Sequence, residues 1–480
     1  MWSGVIIGVY MVSLLFLFLF SLGQLHLAWI YSRKKKRFAP VPAPTGFEPV
    51  VTIQLPVYNE RYVVARLLNA VCALDYPREK LEIQILDDST DDTTAIILEL
   101  LQHLRAKQLD IKLLHRETRT GYKAGALDVG FQSARGEFIA IFDADFVPDP
   151  GFLKSTLPYF QHPRVGVVQT RWDHLNRNQS WLTRLQAFGL DAHFTIEQSA
   201  RQAAGSFINF NGTCGIWRKA CIADAGGWQS DTLTEDLDLS YRAQLRGWQF
   251  EYLDSVKTPG ELPVEMPAIK SQQYRWNKGG AETARKMLAK VWAAGLPFVK
   301  KWHATFHLLN STLFFFLLLA ALLSVPVLFI KATYPGLRPL FHLGSIFLIG
   351  FFSIAWFYWL STRQHPSQFI RLFPGFLIMS MGLALHNALA VVEGWVGRET
   401  PFVRTPKWGQ AETAEPIASK GGKIRVTPLT LLEGALAIYF VWGVVLGFQL
   451  RDWGLLFFHV MLALGFGFVF FLSLKPVRYA

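Results

Sequence analysis

Two aspartates one residue apart, Asp143 and Asp145, follow the apolar run "EFIAIF" (137–142). Carboxylates at that spacing beyond one strand end can share a divalent cation, since Mg2+ and Mn2+ prefer carboxylate and phosphate oxygens. Solvated loop acids would read the same way. Asp87 and Asp88 stand in a similar relation to "LEIQIL" (81–86), where aspartate also serves as a turn residue or helix cap. "TGYKAGALD" (120–128) sets Lys123 between two glycines at a helix start, a place suited to phosphate or to an ordinary surface lysine. In "TLTED" (232–236), Thr234 can cap a helix whose first turn carries Glu235 and Asp236, as the helix dipole favours. "SQQYRWNKGG" (271–280) places Gln272, Arg275 and Trp276 within about one helical turn. It is either an interfacial anchor or a grip on a polar substrate.

These residues need a scaffold, and the apolar runs supply one. "VVTIQL" (50–55), "LEIQIL" (81–86), "IKLLH" (111–115), "EFIAIF" (137–142) and "VGVVQT" (165–170) read as short buried strands. Amphipathic stretches lie between them, among them 60–74 and 91–107. That alternation predicts an α/β domain, a mostly parallel sheet with helices on both faces. Ligands of such sheets bind at the carboxyl ends of the strands, where "PVYNE" (56–60), "DDSTDDT" (87–93) and "DADFVPD" (143–149) gather. Neither GxGxxG nor GxxxxGK[ST] is present, so no dinucleotide or Walker-type phosphate site is indicated.

Composition divides the chain. Hydrophobic residues make up 51% and aromatics 14%, clustered in 5–30 and after His307. "RKKKR" (33–37) follows the first apolar run as a cytosolic stop-transfer flank. The N-terminus lacks the basic residues and the cleavage site of a signal peptide, so a retained anchor is expected, with residues 38–300 inside. Further apolar segments cover 305–331, 339–360, 369–395 and 428–474, the last split at Arg451-Asp452. A crossing by 369–395 would put Arg398, Arg404, Lys407, Lys420, Lys423 and Arg425 outside, against the positive-inside rule. Ser380, His386, Asn387 and Glu393 also suit a surface or re-entrant helix better than a bilayer centre. Five spans and one interfacial or re-entrant helix are expected. The net charge of +12 belongs to this membrane topology, and no nucleic-acid partner is expected. Three cysteines, Cys72, Cys214 and Cys221, give no disulfide framework and fit a reducing compartment.

Taken together and in order, "DDS", "KAGAL", "DAD", "TED" and "QQYRW" resemble the D, DxD, TED, QxxRW signature of processive family-2 glycosyltransferases. That group includes the cellulose, hyaluronan and chitin synthases. The likeness covers about residues 48–290, and "FVRTPK" (402–407) is similar to the family's FxVTxK gating loop. "QTRWDHLN", "FNGTCGIWRKACIADAGGW" and "TEDLDLSYRAQLRGW" look closest to the cellulose synthase-like A and C mannan and glucan synthases and their bacterial relatives.

The resemblance implies a GT-A-type domain embedded in a helical transmembrane bundle. The expected parts are an anchor with its basic flank (1–37), a cytosolic catalytic domain (38–270) and interfacial helices (271–304). Two spans (305–362), an interfacial helix with the gating loop (363–427) and two final spans (428–480) follow. It implies a nucleotide-sugar donor, UDP-glucose or GDP-mannose, and Mg2+ or Mn2+ held by Asp143 and Asp145. Asp88 with Asp87 would hold the base, helped by Pro56, Tyr58 and Glu60. Lys123 would meet the diphosphate, as would Asp143 through the metal. Asp236, flanked by Thr234 and Glu235, would be the general base. Gln272, Arg275 and Trp276 would hold the diphosphate and the acceptor end. Phe210, Asn211 and Gly212 would line the acceptor path, and Phe402, Thr405 and Lys407 would close over the nucleotide.

The implied reaction is a single inverting displacement extending a β-linked, expectedly β-1,4, glucan or mannan that the bundle translocates. A growing polysaccharide and the lipid bilayer are the other implied partners. The setting would be a bacterial inner membrane or, in a eukaryote, the Golgi, with the catalytic domain cytosolic. A glycolipid synthase adding one sugar to ceramide or diacylglycerol shares most of this signature. Two departures stand out: Arg404 replaces the usual valine of the gating motif, and Pro406 sits beside Lys407.

Overall fold

The computed structural model describes residues 2–34, 46–104, 109–343, 346, 348–409 and 426–475. The end of the basic flank (35–37) and Lys420, Lys423 and Arg425 lie outside the described residues.

Seven strands form one mixed sheet: β1 (Val51–Val57), β2 (Leu81–Asp87), β3 (Asp110–His115), β4 (Phe138–Ile141), β5 (Val165–His174), β6 (Gly215–Arg218) and β7 (Gln249–Gly260). Their order is β3-β2-β1-β4-β6-β5-β7. β1, β2, β3 and β4 pair in parallel, as do β5 and β7, while β6 runs antiparallel to both its neighbours. β2 and β4 are buried along their whole length, as expected of central strands covered on both faces. The polar residues of β1 and β2 are buried too, and they satisfy one another across the register. Thr52 donates to Glu82 at 2.6 Å and Gln54 to Gln84 at 3.0 Å. Gly130 lets helix Tyr122–Ser133 lie directly over them, because a Cβ there would come within 2.5 Å of Gln54. That helix carries Lys123 at its start, so its close seat on the sheet fixes where the lysine emerges.

Two of the seven strands, β6 and β7, lie outside the expected set. β6 is the antiparallel element that makes the sheet mixed, and its edge-to-edge pairing brings the segment 210–214 beside the end of β4.

Among the described residues four helices are long and apolar enough to cross a membrane: Trp2–Arg33, Leu313–Thr333, Pro428–Gln449 and Leu456–Ser473. A fifth crossing is reached only if Pro366–Gly382 and Ala384–Val396, bent by 51° at their junction, count as one broken span. The expected span 339–360 overlaps Leu348–Thr362, a helix of 15 residues, short of the roughly 20 that a bilayer requires, while residues 344, 345 and 347 of that span lie outside the described residues. Helix Pro366–Gly382 crosses Leu456–Ser473 at Gly382 and Gly465, where a Cβ on Gly382 would meet the Gly465 carbonyl; small residues at such crossings let helix backbones touch. The helix Met266–Ala293 links the two regions. Lys270 pairs with the fully buried Glu433 at 2.7 Å, and Ser473 accepts from the same lysine. Tyr274 donates to Glu393, and Lys278 reaches the Arg398 carbonyl.

Candidate active site

The carboxyl ends of β1, β2 and β4 open into one cleft. Its wall holds Pro56 at the end of β1 with Tyr58 and Glu60 just beyond it, Asp88 after β2, Asp143 and Asp145 after β4, and Asn211 and Gly212 before β6. Lys123, Thr234, Glu235 and Asp236 enter from helix starts. Gln272, Arg275 and Trp276 come from helix Met266–Ala293, and Phe402, Thr405 and Lys407 from the segment beyond Gly397. Residues spread over some three hundred and fifty positions of chain are thus gathered in one place.

Two expected members lie elsewhere. Asp87, the last residue of β2, points to the opposite side from Asp88, as successive strand residues do. It is fully buried and accepts from the Ser89 amide, Thr94 and His115, so it shapes the turn and does not line the cleft. Phe210 is fully buried against Trp217, with ring centroids 5.5 Å apart. It belongs to the core beneath the path that Asn211 and Gly212 line.

The charges are arranged in tight pairs. Lys123 donates to Asp143 at 2.5 Å and to the Gly212 carbonyl at 2.9 Å. Gly212 adopts φ 76°, and a Cβ there would stand 3.1 Å from Asp236 Oδ2 and 3.4 Å from Lys123 Nζ. Glycine is therefore required both by backbone conformation and by the approach of these two side chains. Burial raises the pKa of Asp236, with Glu235 adding to it, and burial raises that of Glu235 against the pull of Lys123. Burial works against a charged Lys123, but Asp143, Glu235 and Asp236 outweigh it and the net shift is upward. Two buried carboxyls thus lie close to the Lys123 ammonium at one side of the cleft.

Helix Met266–Ala293 reaches this acid pair because of Gly279. A Cβ there would fall 2.6 Å from Thr234 Cγ2 and 2.8 Å from the Thr234 backbone nitrogen. Arg275, on the same helix, donates to Thr405 at 2.9 Å, and its guanidinium lies 4.5 Å from the centre of the Phe402 ring. Its Nε is buried without a hydrogen-bond partner among the described residues, an unspent donor at the wall of the cleft.

Several residues in and around the cleft make contacts that the sequence did not announce. Arg116 forms a two-pronged bond to Asp88 at 2.7 and 2.6 Å. Arg119 stacks on Tyr58 with 3.5 Å between guanidinium and ring centre. Arg404 forms a second two-pronged bond, to Glu60, at 2.9 Å on both arms. Glu261, just past β7, accepts from the Trp408 amide at 2.9 Å and from Arg66 at 3.2 Å. Arg116, Arg119 and Glu261 all follow strand ends, so the rule that singled out the aspartates also covered them. Lys407 donates to Asp145 at 2.5 Å.

Among the described residues no group of three or more His, Cys, Asp and Glu is arranged to hold a metal ion. Asp143 and Asp145, each held by a lysine, offer two carboxylates only. That donor set suits a hard divalent cation taking its other oxygens from a diphosphate and water, and it fits Mg2+ or Mn2+.

Residues 49–279 match the model of the family described as Glycosyltransferase like family 2. Over 465 residues the chain is 33% identical to glucomannan 4-beta-mannosyltransferase 7 of Arabidopsis thaliana, covering 92% of this chain and 82% of that relative. Over 275 residues it is 42% identical to glucomannan 4-beta-mannosyltransferase 2 of the same plant. That match takes in 55% of this chain and about half, 51%, of the relative's length. Among solved structures, the mannosyltransferase PcManGT from Pyrobaculum calidifontis, in complex with GDP-Man and Mn2+, superposes with a TM-score of 0.56 at 20% identity. It covers 81% of this chain and 100% of its own. The mixed sheet with its covering helices is the GT-A architecture of glycosyltransferases. The chain belongs to the family-2 glycosyltransferases, in the cellulose synthase-like group of the plant glucomannan mannosyltransferases.

Proposed function

We propose that the protein polymerises a β-1,4-linked mannan or glucomannan from GDP-mannose, inverting the anomeric carbon, and passes the product toward its membrane helices. The observation that carries this reading is Asp236, set against Gly212 beside the Lys123–Asp143 pair, with Glu235 next to it in the cleft wall. An alcohol becomes a nucleophile as its proton is removed, which requires a carboxylate within hydrogen-bond reach. Asp236 serves as that base, its raised pKa matched to the task. Lys123 and Arg275 present fixed cations to the developing charge of the diphosphate, in a site where they need no reorganisation. Trp276 offers an indole face to the acceptor ring, and Asn211 and Gly212 border its path. Asp143 and Asp145 would hold a divalent cation, which neutralises charge on the diphosphate leaving group when bound.

The choice of mannose rests on the names of the plant relatives and of the archaeal fold neighbour. The catalytic helix Met266–Ala293, tied by Lys270 to Glu433 in an apolar helix, supports delivery into the bundle. Release of nucleoside diphosphate by purified protein in lipid vesicles tests the reading. GDP-mannose and UDP-glucose are supplied separately, each with Mg2+ or Mn2+ and a mannan oligosaccharide. Acceptor-dependent GDP release supports it. UDP release alone, or no release from either donor, overturns the assignment of mannose.

A further inference from the structure

The segment 402–408 lies across the cleft, and the chain's own charges hold it there. Arg404 Nε and Nη2 donate to the two oxygens of Glu60, both at 2.9 Å, between residues 344 apart in sequence. Both side chains are largely buried, 16% and 14% exposed. Glu60 itself stands on a rigid mount. Its carbonyl accepts from the Val63 and Val64 amides, opening helix Val64–Cys72. Its neighbour Asn59 is pinned to the loop after β2 through Ser89 and Thr90. The far end of the segment is fixed to the same helix: Trp408 donates to Glu261, which Arg66 of that helix holds. Gly409, at φ 69°, then passes so close to Tyr62 that a Cβ would meet its carbonyl at 2.6 Å. Between the two fixings lie Thr405 against Arg275 and Lys407 against Asp145.

We propose that Glu60 and Arg404 are positioning residues of the donor site: their two-pronged pair sets the register of 402–408 over the cleft, so that Thr405 and Lys407 meet Arg275 and Asp145. A guanidinium fork fixes orientation as well as distance, which a valine at this position could not do. The arginine in the loop motif and the glutamate after β1 therefore act as one unit. This rests on reading 402–408 as the lid over the nucleotide sugar, and it assigns to the pair the capture of donor rather than the chemical step.

The test uses a nitroxide spin label on Val403→Cys, a position 59% exposed, in a Cys72→Ser background in lipid nanodiscs. Glu60→Arg, Arg404→Glu and the double exchange are compared by electron paramagnetic resonance and by GDP-mannose turnover. Arg404→Gln is added as a variant that introduces no opposite charge. Each single change should mobilise the label and raise the KM for GDP-mannose about tenfold or more, as for a buried charge left unpaired. The kcat should stay within about threefold, and the double exchange should restore both readouts. Labels that stay immobile in the single variants, or a double exchange as impaired as the two singles combined, overturn the pairing. If the unmodified chain turns over no GDP-mannose, the resonance spectra still decide the pair while the proposed function fails. If turnover is normal and the label never responds, the proposed function stands and the pair does not.

Discussion

Adjacent glycines on helix Met266–Ala293 offer a controlled perturbation of the site. A methyl group at Gly279 would stand 2.6 to 2.8 Å from Thr234, including its backbone nitrogen, which cannot rotate away. Ordinary contact begins near 3.4 Å, so helix and acid-bearing turn must separate by roughly 0.6 to 0.8 Å. Overpacking of that kind costs about 1–3 kcal/mol. A misplacement of about 1 Å near reacting groups can cost about a hundredfold in rate. Gly279→Ala should therefore lower kcat about ten- to a hundredfold while the protein remains folded. At Gly280 the methyl would meet the Ser311 hydroxyl at 2.5 Å, a group that can rotate. Gly280→Ala should keep kcat within about threefold, since only a side chain must move. Both variants are assayed for nucleotide release in vesicles, with unfolding followed by tryptophan fluorescence. Equal rates for the two variants, or loss of activity accompanied by loss of the folded transition, would refute the role given to Gly279.

Other expectations follow from the same geometry. Asp236→Asn should cost about 10² to 10⁴ in kcat and leave donor binding, followed by calorimetry, largely intact. Because burial and Glu235 hold Asp236 above the ordinary aspartate range, kcat should fall on the acid side at a higher pH than for an ordinary aspartate. A carboxyl with raised pKa stabilises the fold below its unfolded value and loses that contribution as pH rises through the folded one. Asp236→Asn should accordingly raise the unfolding temperature at pH 8 and leave it unchanged near pH 3, by thermal denaturation at both. Arg116→Ala strips the buried Asp88 of its two-pronged partner and should weaken donor binding about tenfold or more; an unchanged dissociation constant would contradict it. Glu433→Ala leaves Lys270 unpaired between helices and should destabilise the protein by about 3–5 kcal/mol, whereas replacing both by leucine is near neutral. Denaturation in detergent distinguishes the two.

The parts of the fold legible in the sequence were those with a local signature. β1, β2, β4 and the start of β5 are apolar runs long enough to read as strands, and the acids at their ends declare themselves by position. β6 was hidden because "GIWR" opens with glycine and closes with arginine inside no longer apolar run, and its antiparallel placement depends on edges made by β4 and β5. β7 was hidden by the charged residues along its exposed half. Pairing was less legible still. Nothing near Glu60 announces Arg404, and Asp88 finds Arg116 only because β2 and β3 lie side by side. The misplacement of Asp87 and Phe210 has one cause: adjacent residues of an extended chain face opposite ways, so a motif does not say which of two neighbours enters the cleft. The polar residues of 369–395 lie on both sides of the 51° bend between Pro366–Gly382 and Ala384–Val396, a geometry open to a broken span or a re-entrant pair.

The most direct measurement is the product itself. Purified protein in lipid vesicles receives radiolabelled GDP-mannose with Mn2+, and Asp236→Asn provides the blank. The product is partitioned into organic solvent and then treated with a β-1,4-mannanase. High-molecular-weight label that stays in the aqueous phase and is cut by the mannanase is the expected result. Label extracted as one short species into the organic phase would identify a glycolipid product and contradict the polymerising role.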